Sequence, residues 1–117
     1  MKLEVMKKWT KALRSGKYKQ GIEELKNENN EFCCLGVLCD ISKKGKWGKG
    51  GVYYPKKKKG MSGLLPQSIR SWAGMHSTDG SVIVNDELAT DLTSLNDTEG
   101  YSFNDIADFI ETNYKDL

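Results

Sequence analysis

Three cysteines and one histidine are the side chains of this 117-residue chain best suited to chemistry. Cys33, Cys34, Cys39 and His76 could in principle form a zinc site with three thiolates and one imidazole. Structural zinc sites favour cysteine pairs separated by about two to four residues, however, and adjacent cysteines rarely bind one ion together. Free cysteine is also among the residue types most often buried. The sequence therefore predicts no metal site.

A second interpretation makes Cys34 a thiol nucleophile. At the start of a helix its thiolate would be favoured by the helix dipole, and His76, oriented by Asp79 or Asn85, would be the base. A single histidine in the polar turn 74–80 is more typical of a surface residue. We therefore predict no catalytic residue, and a cysteine-dependent hydrolase remains an alternative. The chain also lacks both standard glycine-rich phosphate loops, so no cofactor is predicted.

Polar and aromatic side chains just after the first helix indicate a binding site. Arg14, Tyr18 and Gln20 combine a cation, a ring and an amide, which suits a small anionic or planar ligand. Asp40, at the polar end of the cysteine segment, could join them. In the alternative interpretation Arg14 caps helix carbonyls and Tyr18 is half-buried.

A lysine-rich segment supplies a second kind of surface. Residues 43–60 interleave lysines with Trp47, Tyr53 and Tyr54, and this mixture pairs phosphate attraction with base stacking. The segment Lys43–Lys59 therefore predicts nucleic-acid binding, although it could equally be a solvated, solubilising loop. Lysine in place of arginine argues against the readout of duplex sequence. Taken together, the predicted ligand-binding residues are Arg14, Tyr18, Gln20, Asp40, Trp47, Tyr53, Asn96 and Asp97.

The charges are divided along the chain. Residues 1–60 carry a net charge of +10 and residues 79–117 a net charge of −9, although the whole chain has only +2. This division predicts a dipolar surface, or two halves that attract each other within or between subunits. A homo-oligomer is therefore one expectation, and two solvated faces are the other.

Several periodic segments predict the elements that position these residues. Apolar residues from Val5 to Leu13 recur at helical spacing, with Gly16 as the C-terminal cap. A hairpin is expected over residues 18–34. The segment from Cys34 to Lys43 is apolar on all sides, which is typical of a buried helix, with a buried strand as the rival. Residues 43–63 predict a long, mobile loop.

The second half of the chain predicts further helices and one strand. Residues 64–74 form a short helix with Pro66 in its first turn, and residues 81–85 a strand. Leu88, Leu92 and Leu95 follow at helical spacing. A capping box from Ser102 to Asp105 opens the last helix. These elements predict one α+β domain spanning residues 1–117, with several helices packed on a short antiparallel sheet.

No segment predicts export or membrane insertion. The longest apolar run is far shorter than the roughly 18 residues of a transmembrane helix, and the N-terminal residues lack the apolar stretch of a signal peptide. We therefore expect a cytoplasmic protein with reduced cysteines and no membrane partner.

Five stretches of the chain form a recognisable set: Trp9-Thr-Lys-Ala-Leu-Arg-Ser-Gly-Lys-Tyr-Lys-Gln20, Phe32-Cys-Cys-Leu-Gly-Val-Leu-Cys-Asp40, Leu65-Pro66 with Trp72, Leu95-Asn-Asp97 and Phe103-Asn-Asp-Ile-Ala-Asp108. With these stretches the chain resembles a family of small tailed-phage and prophage proteins. The resemblance implies a source, a bacterial virus acting in the cytoplasm of its host, more than it implies a reaction.

This context leads to an expectation about function. A small phage accessory protein without recognisable catalytic machinery is expected to act by binding. Counter-defence is the favoured role, through sequestration of a nucleotide-derived immune signalling molecule. The alternatives are a nucleic-acid-binding accessory protein and one that inhibits a host protein.

Overall fold

Five helices and six short strands build the fold of the computed structural model, which describes residues 1–117. The helices are α1 (Leu3–Arg14), α2 (Cys34–Ser42), α3 (Gln67–Ala73), α4 (Leu92–Asp97) and α5 (Phe103–Asn113). The strands are β1 (Lys19–Gln20), β2 (Glu31–Phe32), β3 (Gly45–Trp47), β4 (Tyr53–Pro55), β5 (Ser81–Val84) and β6 (Glu87–Asp91). Two 3₁₀ turns cover Lys49–Gly51 and Tyr114–Asp116. This composition confirms the predicted α+β class.

The cysteine segment forms α2, the central helix of the core. All residues from Cys34 to Cys39 are buried, and α2 packs against α1, α3 and α4. Gly36 lets the chain pass closely on one side, because a Cβ placed there would lie 1.8 Å from the carbonyl oxygen of Leu25. Of the two interpretations of this segment, the buried helix is therefore correct.

The first and last helices pack against each other, and α1 also packs against α2. The predicted apolar face of α1 is buried, and the Trp9 indole donates a hydrogen bond of 2.9 Å to the Cys34 carbonyl. The capping box of α5 is confirmed, since Ser102 Oγ accepts from the Asp105 N–H and the Asp105 carboxylate accepts from the Ser102 N–H. The predicted helix 64–74 is shorter, because Pro66 lies outside α3 as its N-cap and Gly74 ends it.

The predicted hairpin over residues 18–34 is wrong. Strands β1 and β2 pair in parallel, with Gln20 opposite Phe32. The chain reverses twice between them: first after Gly21 and again at the polar turn, where Lys26 bridges Phe32 in the antiparallel sense. Asn27 holds this second turn, because its Oδ1 accepts from the N–H groups of Asn29 and Glu31.

Residues 43–63 contain a hairpin in place of the predicted long loop. Strands β3 and β4 pair antiparallel, with Trp47 opposite Tyr53 and Lys46 opposite Tyr54. Tyr53 is buried and anchors the hairpin to the core, while the bridge to Met61 extends the pairing beyond β4. Burial of the Tyr53 side chain stabilises this hairpin, although the lysines and glycines around it favour a loop.

A further correction concerns Leu88, which the sequence pattern assigned to a helix because of its spacing from Leu92 and Leu95. Leu88 lies in β6, is 63% exposed and pairs across from Ile83 of β5. Asn85 and Asp86 form the connecting turn with φ values of 52° and 62°, a conformation typical of a two-residue hairpin. Only from Leu92 does the chain become helical, capped by the Asp91 side chain.

The strands form three separate two-stranded pairs, so the helices pack around one hydrophobic core without a continuous sheet. The longest helix has 12 residues, and none is both long and apolar enough to cross a membrane.

Candidate functional site

The predicted ligand-binding residues are divided among three places, and most of their polar atoms are paired with one another. Arg14 lies on the exposed face shared by α1 and α5. Its guanidinium donates to Asp108 at 2.7 Å and to Glu111 at 2.8 Å. These hydrogen bonds raise the pKa of Arg14. Arg14 therefore ties α1 to α5 and makes no hydrogen bond with the other predicted residues.

Tyr18, Asp40 and Trp47 form one hydrogen-bonded group. The Tyr18 hydroxyl donates to Asp40 Oδ2 at 2.5 Å, and the Trp47 indole donates to Asp40 Oδ1 at 2.9 Å. Burial, followed by the hydrogen bond to Asp40, raises the pKa of Tyr18. Both carboxylate oxygens of Asp40 are thus used within the fold, where they link α2 to β3 and to the residue that precedes β1.

The aromatic rings of this region pack on one another. Tyr18, Phe32, Trp47 and Tyr53 form a chain of edge-to-face contacts with centroid separations of 4.9–5.6 Å. The Lys26 ammonium lies 5.4 Å from the centroids of both Phe32 and Trp47. Tyr53 is 1% exposed, and burial raises its pKa. Trp47, which is half-buried, and Tyr53 therefore contact other rings of the fold, and their predicted stacking on bases stays a prediction.

Gln20, Asn96 and Asp97 form the third group. Buried Asn96 accepts from Gln20 Nε2 at 2.9 Å and from the Cys34 N–H at 3.2 Å. Its amide donates to the Gly21 carbonyl at 2.9 Å and to Asp97 Oδ1 at 2.8 Å. Asn96 uses its acceptor and donors to join β1, α2 and α4, so its role in this structure is architectural.

The three thiols do not meet the requirements of a nucleophile. Cys34 has no exposed surface, its Sγ lies 3.8 Å from the Leu92 carbonyl oxygen, and burial raises its pKa well above the usual value. Burial also raises the pKa of Cys33 to about 11 and that of Cys39 further. His76 is exposed and makes no side-chain hydrogen bond with a cysteine. The proposed Cys34–His76 pair is therefore not formed, and no group of three or more His, Cys, Asp or Glu side chains is arranged to hold a metal ion.

A depression at the β3–β4 hairpin combines lysines with an exposed aromatic ring. It has a volume of about 450 Å³, and we name it the Tyr54 depression after its exposed ring. Five lysines surround the ring. The lining residues are Lys43, Lys44, Gly45, Lys46, Tyr54, Pro55, Lys56 and Lys57.

Close packing on glycines holds the Tyr54 ring in place. A Cβ at Gly48 would lie 2.4 Å from a ring carbon, and one at Gly60 would lie 2.6 Å from another. A Cβ at Gly45 would lie 2.3 Å from the carbonyl oxygen of Tyr54, so this glycine also packs closely on Tyr54. The ring is 47% exposed, so one part of it packs on backbone and another is open to solvent.

The lysines of this surface have no acidic partner. The ion pairs of the chain involve only Arg14 and Lys19, so the eight lysines between residues 43 and 59 are not neutralised by a carboxylate. No Asp or Glu occurs between Asp40 and Asp79. The sequence indicates the basic segment and its three rings, Trp47, Tyr53 and Tyr54, and the structure leaves Tyr54 as the exposed one. Glycines on both sides of the tyrosine pair are the signal that could have pointed to Tyr54.

Comparison with known proteins gives one match. No curated protein and no solved structure matches this chain. A family model with the description "Domain of unknown function (DUF8296)" matches residues 1–114, nearly the whole sequence, and the chain therefore belongs to this family.

Proposed function

We propose that this chain is a binding protein that captures a phosphate-bearing nucleotide in the Tyr54 depression. The observation that carries the proposal is the group of five unpaired lysines around one exposed aromatic ring. Ammonium groups attract phosphate oxygens, and a tyrosine face stacks on a base. The volume of about 450 Å³ lies within the range of small-molecule sites.

Nucleotide binding agrees with the counter-defence role expected from the resemblance to phage proteins. A protein that holds a nucleotide-derived signalling molecule without converting it would lower the free concentration of that molecule in the cytoplasm of the bacterial host. Binding without catalysis agrees with thiols that are buried and protonated. We therefore propose sequestration of an immune signal as the biological role.

Calorimetry of the purified protein tests this proposal directly. The panel contains cyclic dinucleotides, cyclic trinucleotides and ADP-ribose derivatives. The double variant Lys44→Gln/Lys56→Gln removes two lysines of the depression, and Lys8→Gln/Lys115→Gln removes the same charge from exposed positions elsewhere. We expect the first variant to lose about tenfold or more in affinity, since each charge-assisted hydrogen bond contributes about 1.5–3 kcal/mol. Absence of binding to the whole panel, or equal losses in both variants, would contradict the proposal.

Nucleic-acid binding is the second candidate, because the lysines continue past the depression. Lys49 lies in the hairpin turn, and Lys58 and Lys59 line a neighbouring depression. A polynucleotide backbone could follow this longer surface. The logarithm of the affinity would then fall with the logarithm of salt concentration, with a slope of about −0.7 for each phosphate contact to a single strand. Affinity independent of oligonucleotide length would exclude this candidate and leave the mononucleotide-sized site.

Self-association would support either role by covering the open depression. The β5–β6 hairpin exposes Ile83, Val84 and Leu88 beside Asp86 and Glu87, so it offers an apolar and acidic surface to the basic hairpin of a second copy. We propose a homo-oligomer on this basis. Sedimentation velocity of the wild type and of Leu88→Asp tests it, and a wild-type monomer across the micromolar range would contradict it.

A further inference from the structure

One inaccessible hydroxyl in this structure has no hydrogen-bond partner within the protein. Ser68 Oγ is the sole buried side-chain nitrogen or oxygen in the chain without a protein partner. Leaving a buried polar group unpaired is unfavourable, so such a group calls for a partner outside the protein, such as a water, an ion or a ligand.

Ser68 lies between two depressions, both lined by lysines. The first has a volume of about 370 Å³ and is lined by Pro55, Lys58, Lys59, Met61, Pro66, Gln67, Ser68 and Ser71. The second, of about 340 Å³, is lined only by Lys43, Lys44, Lys56, Lys58 and Ser68. Lys58 and Ser68 are common to both, and neither depression includes an acidic residue.

The second depression continues into the Tyr54 depression. Lys43, Lys44 and Lys56 line both of them, so the ring of Tyr54 and the hydroxyl of Ser68 stand at opposite ends of one lysine-lined tract. A ligand that placed a base on Tyr54 would therefore direct its phosphates along these three lysines toward Ser68.

We propose that Ser68 and Lys58 form a terminal-phosphate subsite, which makes this tract selective for nucleotides with two or more linked phosphates. The inference rests on the proposed function of the Tyr54 depression and adds the class of ligand. The serine hydroxyl donates to a phosphate oxygen, and Lys58 supplies the charge. Arg70 takes no part, because its guanidinium already donates to Gln67, Ser71 and the Met75 carbonyl.

The subsite requires a small rearrangement. Ser68 Oγ has almost no accessible surface, so a neighbouring side chain must move before a phosphate reaches it. Lys58 borders both depressions, and its long stem can rotate without disturbing the backbone. Phosphate binding would thus draw the Lys58 ammonium toward the depression that Ser68 lines.

Adenosine mono-, di- and triphosphate are the probes that test the subsite. We expect the wild type to bind the diphosphate and triphosphate at least tenfold more tightly than the monophosphate. Ser68→Ala should remove about tenfold of that preference and leave the monophosphate affinity unchanged, and Lys58→Gln should act in the same direction. The control Ser62→Ala removes an exposed serine hydroxyl close in sequence and should change neither.

The possible results separate the two proposals. Failure of all three nucleotides and of the whole calorimetry panel, ADP-ribose derivatives included, to bind would overturn the proposed function and the subsite together. Binding without a preference for linked phosphates, or a preference that Ser68→Ala leaves intact, would overturn the subsite alone. Stability gives an independent readout: the unfolding midpoint of Ser68→Ala should equal or exceed that of the wild type, and a lowered midpoint would show that the hydroxyl already has a partner.

Discussion

Replacement of Asn96 by alanine is the sharpest test of how this fold is held together. The sequence predicts that Asn96 binds a ligand, whereas the structure uses its side chain in four hydrogen bonds, which join α4 to Gln20, Gly21 and α2 and reach Asp97 within α4. If those bonds are structural, the variant should lose stability even in the absence of any ligand.

The expected magnitude follows from the groups that lose their partners. The Cys34 N–H and the Gly21 carbonyl are both buried, and Asn96 is the partner that the structure gives each of them. Leaving a buried polar group unpaired costs about 1–3 kcal/mol. Gln20 keeps its bond to the Tyr101 carbonyl and should add little. We therefore expect Asn96→Ala to lower the free energy of unfolding by about 3 kcal/mol.

Urea unfolding followed by circular dichroism measures this change. With a typical slope of about 1.5 kcal/mol per molar urea, the midpoint should fall by about 2 M. Asn104→Ala is the matched control, because Asn104 lies exposed on α5 and should change the free energy by no more than about 0.5 kcal/mol. A variant of Asn96 that unfolds at the same urea concentration as this control would refute the structural role and leave Asn96 free for a ligand.

Four further predictions concern a core glycine, Asp40 and the thiols. Gly36→Ala should prevent cooperative folding, because its Cβ would lie 1.8 Å from the carbonyl oxygen of Leu25. Gly16→Ala is the control: its Cβ would meet open space, and its backbone φ is 75°. This control should lower the free energy of unfolding, measured by thermal unfolding, by only about 1 kcal/mol. Asp40→Ala should lower the free energy of unfolding by about 2 kcal/mol, since Tyr18 and Trp47 lose their shared hydrogen-bond acceptor. In the same urea assay, Asp40→Asn should recover part of this loss. A thiol-directed chromogenic reagent at pH 8 should label no cysteine of the folded chain and all three in urea; rapid labelling of one thiol before unfolding would count against this. Between pH 9 and pH 11 the free energy of unfolding should fall, because an unfolded thiol releases its proton near the ordinary cysteine pKa of 9.0 while folded Cys33 keeps its proton until about 11. The unfolded state then binds fewer protons than the folded state, which gives a slope of up to about −1.4 kcal/mol per pH unit for each such thiol.

Patterns that extend over one or two turns of helix are reliable guides to this fold. The apolar spacing of α1, the continuous apolar run of α2 and the Ser102 capping box all involve residues within a few positions of each other. Their geometry depends on the local backbone, so the α+β class and the burial of the cysteine segment follow without knowledge of the rest of the chain.

Hairpins are harder to predict, because their signals compete with others of similar strength. The spacing of Leu88, Leu92 and Leu95 fits a helix, yet the turn at Asn85 and Asp86 continues the strand through Leu88. Lysines and glycines around Tyr53 predict a loop, yet the β3–β4 hairpin forms there with the Tyr53 ring buried. In both cases the outcome depends on which side chains find space in the core.

Residue types alone identify the polar and aromatic side chains of this protein, but only the tertiary structure decides which of them pair with one another. Tyr18 and Asp40 are 22 positions apart, and Gln20 and Asn96 are 76 apart, yet each pair is joined by a hydrogen bond. Such pairing removes these groups from the surface available to a ligand. It leaves the lysines around Tyr54 and the hydroxyl of Ser68, whose unpaired state is visible only once every other buried polar atom has found its partner.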